Sequence, residues 1–141
     1  MELDIMPIGS DSAMKEICIL AAVRDSLQYY YIQLADVADS LSNGIFLVNR
    51  TINRKISAGE TRAVTWDENR WHHIRIERDI VKRTFRVFFQ DMKVPLMESK
   101  DYELVMGYVG FGGFVGSGGF DNIRIWAPTS IPEECPIFET E

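Results

Sequence analysis

The amino-acid sequence predicts an all-β protein, an antiparallel sandwich of two packed sheets, on three observations. Apolar residues recur with period two along most of the chain, turn residues punctuate it about every 8 to 12 positions, and no segment sustains a helical period. Roughly eight to eleven short strands follow from this reading, which favours a sandwich over a parallel α/β fold. A chain of 141 residues suffices for one domain, burying about two thirds of its unfolded surface without a disulfide or metal. Residues 1–126 read as that domain. The stretch 127–141, "APTSIPEECPIFETE", reads as a Pro-rich acidic tail that packs along the surface or leads to further domains.

The elements follow in order. "ELDIMPI" alternates and ends at Pro7 and Gly9, where "SDS" marks a turn. "AMKEICILAAVRD" carries a helical face (Met14, Ile17, Cys18, Ala21) and a strand face (Ile17, Ile19, Ala21, Val23). The strand is preferred, because "LQYYYIQL" is plainly β and a turn through Arg24, Asp25 and Ser26 joins the two as a hairpin. "ADVADSLSNG" is a polar connection with a turn at Asn43-Gly44, "IFLVNRTI" is one strand, and "NRKISAG" begins the next. "TWDENRW" sets turn residues between two tryptophans. "WHHIRIER" then sends Ile74 and Ile76 to one face and His73, Arg75 and Glu77 to the other. "RTFRVFFQ" turns Phe85, Val87 and Phe89 inward and Arg86, Phe88 and Gln90 outward. Trp66, Trp71 and Trp126 abut turns or strand ends beside apolar neighbours, and all three are expected in the sandwich packing.

Seven glycines fall between Gly107 and Gly119 in "GYVGFGGFVGSGGFDNIRIW". A dinucleotide loop needs glycines at i, i+2 and i+5 before a helix. From Gly110 or Gly116 the third position is Val115 or Asp121, and a strand follows. A Walker loop needs a lysine, and none lies beyond Lys100. The glycines therefore read as a backbone device: close approach at Gly107 and Gly110, a turn at Gly116 to Gly119, and a late hairpin. Alternation puts Asp121 on the face of Ile123 and Ile125, where a buried carboxylate would be held by backbone N–H groups of the glycine turn. The alternative is a calcium site at Asp121, with Asn122 assisting.

Composition narrows the function. A net charge of −6 and a pI near 4.9 repel phosphate backbones and anionic membranes, so neither nucleic acid nor membrane is an expected partner. No run approaches the roughly 18 to 20 apolar residues of a membrane span, and "MELDI" lacks the features of a secretory signal, so the chain reads as soluble. A signal removed earlier would make an extracellular or periplasmic setting plausible. Cys18 and Cys135 do not have metal-ligand spacing and read as free thiols rather than a bridge. Asn49-Arg50-Thr51 is a glycosylation sequon, meaningful only in a secreted eukaryotic protein.

The order "WHHIRIER", "VFFQDMKVPL", "GYVGF" and "FDNIRIW" resembles the C-terminal half of the concanavalin A-like lectin/glucanase superfamily, which includes laminin G-like domains. "VRDSLQYYYIQL" with "NGIFLV" resembles the middle strands of its bacterial branches, among them 3-keto-disaccharide and other glycoside hydrolase-like domains. The resemblance spans residues 14–126 or so and implies a jelly roll with one concave sheet. It also implies a strand or two ahead of this chain's start.

That resemblance raises a catalytic question. Retaining glycoside hydrolysis needs two carboxylates about 5 Å apart. Glu2-Leu3-Asp4-Ile5-Met6-Pro7 is similar to the laminarinase-type E-[IL]-D-[IV]-[MV]-E signature, but Pro7 stands where the acid/base glutamate belongs. Glu77-Arg78-Asp79 fails likewise at Lys82. Glu2 and Asp4 are thus weak catalytic candidates, otherwise exposed charges on an edge strand. His72 and His73, being adjacent, point to opposite faces of a strand, one packed and one exposed. No cofactor is expected, calcium aside. Sugars are held by aromatic rings and planar polar groups, and Tyr29, Tyr31 and Gln33 share one strand face with Arg24 and Asp25 just before it. Opposite lie the more apolar Tyr30, Ile32 and Leu34. The expected function is glycan recognition on the tyrosine face, with a glycoside hydrolase or a laminin G-like interaction domain as the alternatives.

Overall fold

Alternating strands bury one side of each pleat, so a chain made of them must stack two sheets to hide both apolar faces. The structure, a computed structural model, describes residues 1–8, 14–58, 62–67, 69–101 and 103–127. Among these residues lie ten strands: Glu2–Ile8 (β1), Glu16–Asp25 (β2), Gln28–Ala35 (β3), Gly44–Asn49 (β4), Ile52–Lys55 (β5), His72–Asp79 (β6), Thr84–Phe89 (β7), Met97–Lys100 (β8), Tyr108–Gly112 (β9) and Ser117–Arg124 (β10). They form two antiparallel sheets of jelly-roll type. The first is ordered β10-β1-β6-β7-β8 and the second β5-β4-β3-β2-β9. The "SDS" turn, Glu68, Cys135 and all of the tail beyond Ala127 lie outside the described residues.

The core sits between the sheets. Leu3, Ile5, Ile74, Ile76, Phe85 and Val87 of the first meet Ile17, Ile19, Tyr30, Ile32, Leu34, Ile45 and Leu47 of the second, with Val64, Trp66 and Leu104 closing the gaps from the connections. The expected inward faces of β3, β6 and β7 pack into the core, with Phe89 partly buried at its margin, while on β3 the outward Tyr31 and Gln33 are buried as well. Phe88 points outward yet is covered, because the Arg75 guanidinium lies 4.3 Å from its ring centroid and Arg86 5.8 Å.

Several expectations change. β1 is not an edge strand, since it pairs with both β10 and β6. "IFLVNRTI" is two strands, cut by a turn at Arg50, whose φ of 58° lets the chain reverse between β4 and β5. The glycine stretch is not a hairpin. β9 pairs with β2 and β10 with β1, so the glycine turn carries the chain from one sheet to the other. Trp66 is core, but Trp71 and Trp126 are 48% and 63% exposed.

Two bulges re-aim the edges. In β2, Ala21 opposes Tyr30 and Asp25 opposes Gln28, so extra residues bow out around Ala22 at φ 50°. Gly107 fits against that bow, where a Cβ would stand 2.5 Å from the Ala22 carbonyl carbon. In β10, Asp4 opposes Asp121 but Glu2 opposes Arg124, which places the extra residue at Asn122, φ 50°. Simple alternation therefore fails beyond Asp121. Asp121 points outward beside Asp4 and is exposed, as are Ile123 and Ile125, so no buried carboxylate sits on that strand.

Candidate functional site

The outward face of the second sheet carries the predicted tyrosines. Cys18, Tyr31 and Phe46 form a small cluster of their own, with Leu20, Tyr29 and Val48 packed on it. β2 and β4 bring Leu20 and Phe46 to either side of Tyr31, whose ring stacks on Phe46 at 4.5 Å and takes the edge of Phe114 at 5.2 Å. Tyr31 is 8% exposed and Gln33 4%. Burial, with Cys18 and Tyr29 adding, pushes the Tyr31 hydroxyl up to about 12. Arg24 and Asp25 lie exposed at the tip of the β2–β3 hairpin, where Asp25 accepts the Leu27 N–H at 2.7 Å.

Glu16 explains why this face is closed. It is 1% exposed at the start of β2. Its Oε1 accepts the backbone N–H groups of Phe114, Val115 and Gly116 at 2.5, 2.8 and 3.0 Å. Its Oε2 accepts the Cys18 thiol at 3.0 Å and the Gln33 amide at 3.3 Å. The Gln33 carbonyl oxygen accepts the Asn43 N–H at 2.9 Å, so both ends of that amide serve the fold. Burial alone would raise the Glu16 pKa, yet the bonds from Cys18, Gly116, Val115 and Phe114 outweigh it and hold the carboxyl below its ordinary value. Burial, followed by the Glu16 contact, pushes the Cys18 thiol up, so it stays protonated. A Cβ on Gly116 would come within 2.2 Å of the Glu16 carbonyl oxygen. The glycine loop does cradle an anion on its N–H groups, and the anion is the chain's own Glu16. The role expected of Asp121 belongs to Glu16.

The outward face of the first sheet is open. Asp4 on β1 faces His73 on β6 and Asp121 on β10. His73 Nδ1 lies 2.8 Å from Asp4 Oδ1 and Nε2 lies 3.5 Å from Glu2 Oε2, while the Asn122 amide donates to Asp4 Oδ2 at 2.7 Å. The Asn122 bond, then the His73 bond, holds the Asp4 carboxyl below its ordinary value. Glu2, Asp4, His73, Asn122 and Arg124 line a shallow depression of about 230 Å³. One row along the sheet, the Trp71 indole reaches Gly119 on β10, where an added Cβ would stand 3.1 Å from its ring edge.

This face gathers residues the sequence flagged for separate reasons, Glu2 and Asp4 as catalytic candidates and Asn122 as a metal candidate. Together they offer carboxylate acceptors and amide and guanidinium donors at the surface. An Asp4 held ionised donates no proton at neutral pH, and Pro7, where the signature has its glutamate, is buried. Among the described residues no three His, Cys, Asp or Glu side chains converge as a cation's ligands. Sequence reasoning missed Trp71, His73, Arg124 and Glu16 as site or support residues. Period two already set Trp71 and His73 on one face, but only the fold brings β10 beside β1.

The chain matches no protein-family model and no curated protein. Among solved structures it is similar to the carbohydrate-binding module CBM66 from Bacillus subtilis, with TM-score 0.65 and 16% identity over 86% of this chain and 70% of that one. At that identity the likeness shows the fold: a jelly-roll β-sandwich. Among the described residues no helix is long and apolar enough to cross a membrane.

Proposed function

We propose that the protein is a carbohydrate-recognition module that binds a neutral saccharide on the outward face of its first sheet, centred on Trp71. The observation that carries the proposal is an indole 48% exposed, its ring edge against Gly119, on the sheet face that also carries a row of planar polar groups. Stacking of an indole on sugar C–H faces, with carboxylates accepting from hydroxyls and Asn122 and Arg124 donating to them, is the chemistry such recognition needs. A net charge of −6 disfavours acidic glycans. The similarity to a carbohydrate-binding module supports the reading, as does a sandwich of the kind found throughout the concanavalin A-like superfamily, to which we assign the chain.

A second reading keeps the saccharide on the tyrosine face, since Tyr29 is only half-buried and Phe114 is 62% exposed. Calorimetric titration with a panel of neutral oligosaccharides separates the two. Trp71→Ala weakens binding at least about tenfold, while Tyr29→Ala changes it less than about twofold. The reverse pattern moves the site to the tyrosine face, and no binding by the intact protein overturns the proposal.

A further inference from the structure

The edge strands β9 and β10 belong to different sheets, and where they part an apolar opening of about 200 Å³ remains. Val105, Met106, Ile125 and Trp126 line it and are 44 to 63% exposed. Such a cluster on a chain this small asks for a cover. Arg78 also lines the opening. Its guanidinium lies over Tyr30 at 4.5 Å and Phe85 at 5.0 Å, and Nη2 donates to the Leu104 carbonyl at 2.5 Å. A guanidinium lining an opening with an apolar rim fits a segment that brings a carboxylate and apolar side chains together.

Residues 128–141 have that composition. The described chain ends at Ala127, one residue past Trp126 on the rim of the opening. The residues that follow include Ile131, Ile137 and Phe138 among Glu133, Glu134, Glu139 and Glu141, with no lysine or arginine. Fully extended, they reach about 45 Å, ample to fold back. We infer that this segment docks on its own domain, setting apolar side chains on Val105, Met106, Ile125 and Trp126 and a carboxylate on Arg78. The inference stands apart from the saccharide site, which lies on the outward face of the first sheet.

Cys135 supplies the probe. In the full chain a nitroxide is attached there, Cys18 being 4% exposed with its thiol pushed up by burial, and amide relaxation is compared with a diamagnetic analogue. The expected result is broadening, at least about threefold above the domain average, of the amides of Val105 to Gly107 and the indole N–H of Trp126. It persists on dilution, and it is absent when spin-labelled unenriched chain is mixed with isotope-enriched unlabelled chain. Uniform broadening, or broadening centred elsewhere, overturns the inference. Broadening at the opening seen only in the mixed sample also overturns it and assigns the surface to a second copy. As a second readout, Ile137→Asp with Phe138→Asp in the full chain red-shifts Trp126 fluorescence and raises binding of an apolar dye; no change in either counts against docking.

Discussion

The two outward faces of the sandwich have opposite fates. On the second sheet, Tyr31, Phe46 and Cys18 are covered by the chain itself, because Glu16 pulls the 113–116 loop down and Phe114 comes with it. On the first sheet, Trp71 lies in the open beside polar groups that pair with one another across strands at the surface. An aromatic residue whose neighbours fill its surroundings serves packing, whereas one left standing over a glycine beside planar polar groups remains free for a ligand.

Breaking the anchor of the closed face produces the largest effect. Glu16→Ala strands three backbone N–H groups and the Gln33 amide, and costs about 3 kcal/mol in denaturant unfolding. The anchor also has a pH signature. The folded-state pKa of Glu16 lies below its ordinary value of 4.5, so its contribution is complete above that value and is lost as pH falls through the folded pKa. The stability advantage of wild type over Glu16→Gln should therefore shrink in titrations below about pH 4.5; an advantage that grows in acid contradicts the assignment.

Changes on the open face cost less stability and more affinity. Gly119→Val pushes the indole off its seat, and loses saccharide binding at least about tenfold with melting shifted only a few degrees. Asn122→Ala removes one hydroxyl donor and frees Asp4, for a loss of about 1 kcal/mol in affinity. The smallest effect is expected from Arg24→Ala at the exposed hairpin tip, within about 0.5 kcal/mol in both stability and binding. An Arg24→Ala defect matching that of Gly119→Val would shift the centre of recognition to the second sheet.

Much of the fold was legible. The alternation in "WHHIRIER" and "RTFRVFFQ" is governed by burial on one face, and the structure buries those residues. What failed were the places where local geometry interrupts alternation. The left-handed residues Ala22 and Arg50 are of types that give no sign of a bulge or reversal, and Asn122, of a type that tolerates that region, lies inside an otherwise regular strand pattern, where its bulge turns Asp121 away from the expected face. Glu16 was invisible for another reason: its partners lie about 100 positions away in sequence. Composition favours the tyrosine face, because it describes the ingredients of a sugar platform but not whether a loop covers it. Trp71 adjoins a turn and so reads as packing, and only the pairing of β10 with β1 sets Gly119 against its ring edge.

The most direct test of the open-face account is an amide and indole chemical-shift titration of the intact protein with a neutral oligosaccharide that it binds. The account predicts that saturable shifts map to Trp71, His73, Gly119, Asn122 and Arg124, and leave Tyr29, Val48 and Phe114 in place. Shifts concentrated on Tyr29, Val48 and Phe114, with the Trp71 indole unmoved, would contradict it.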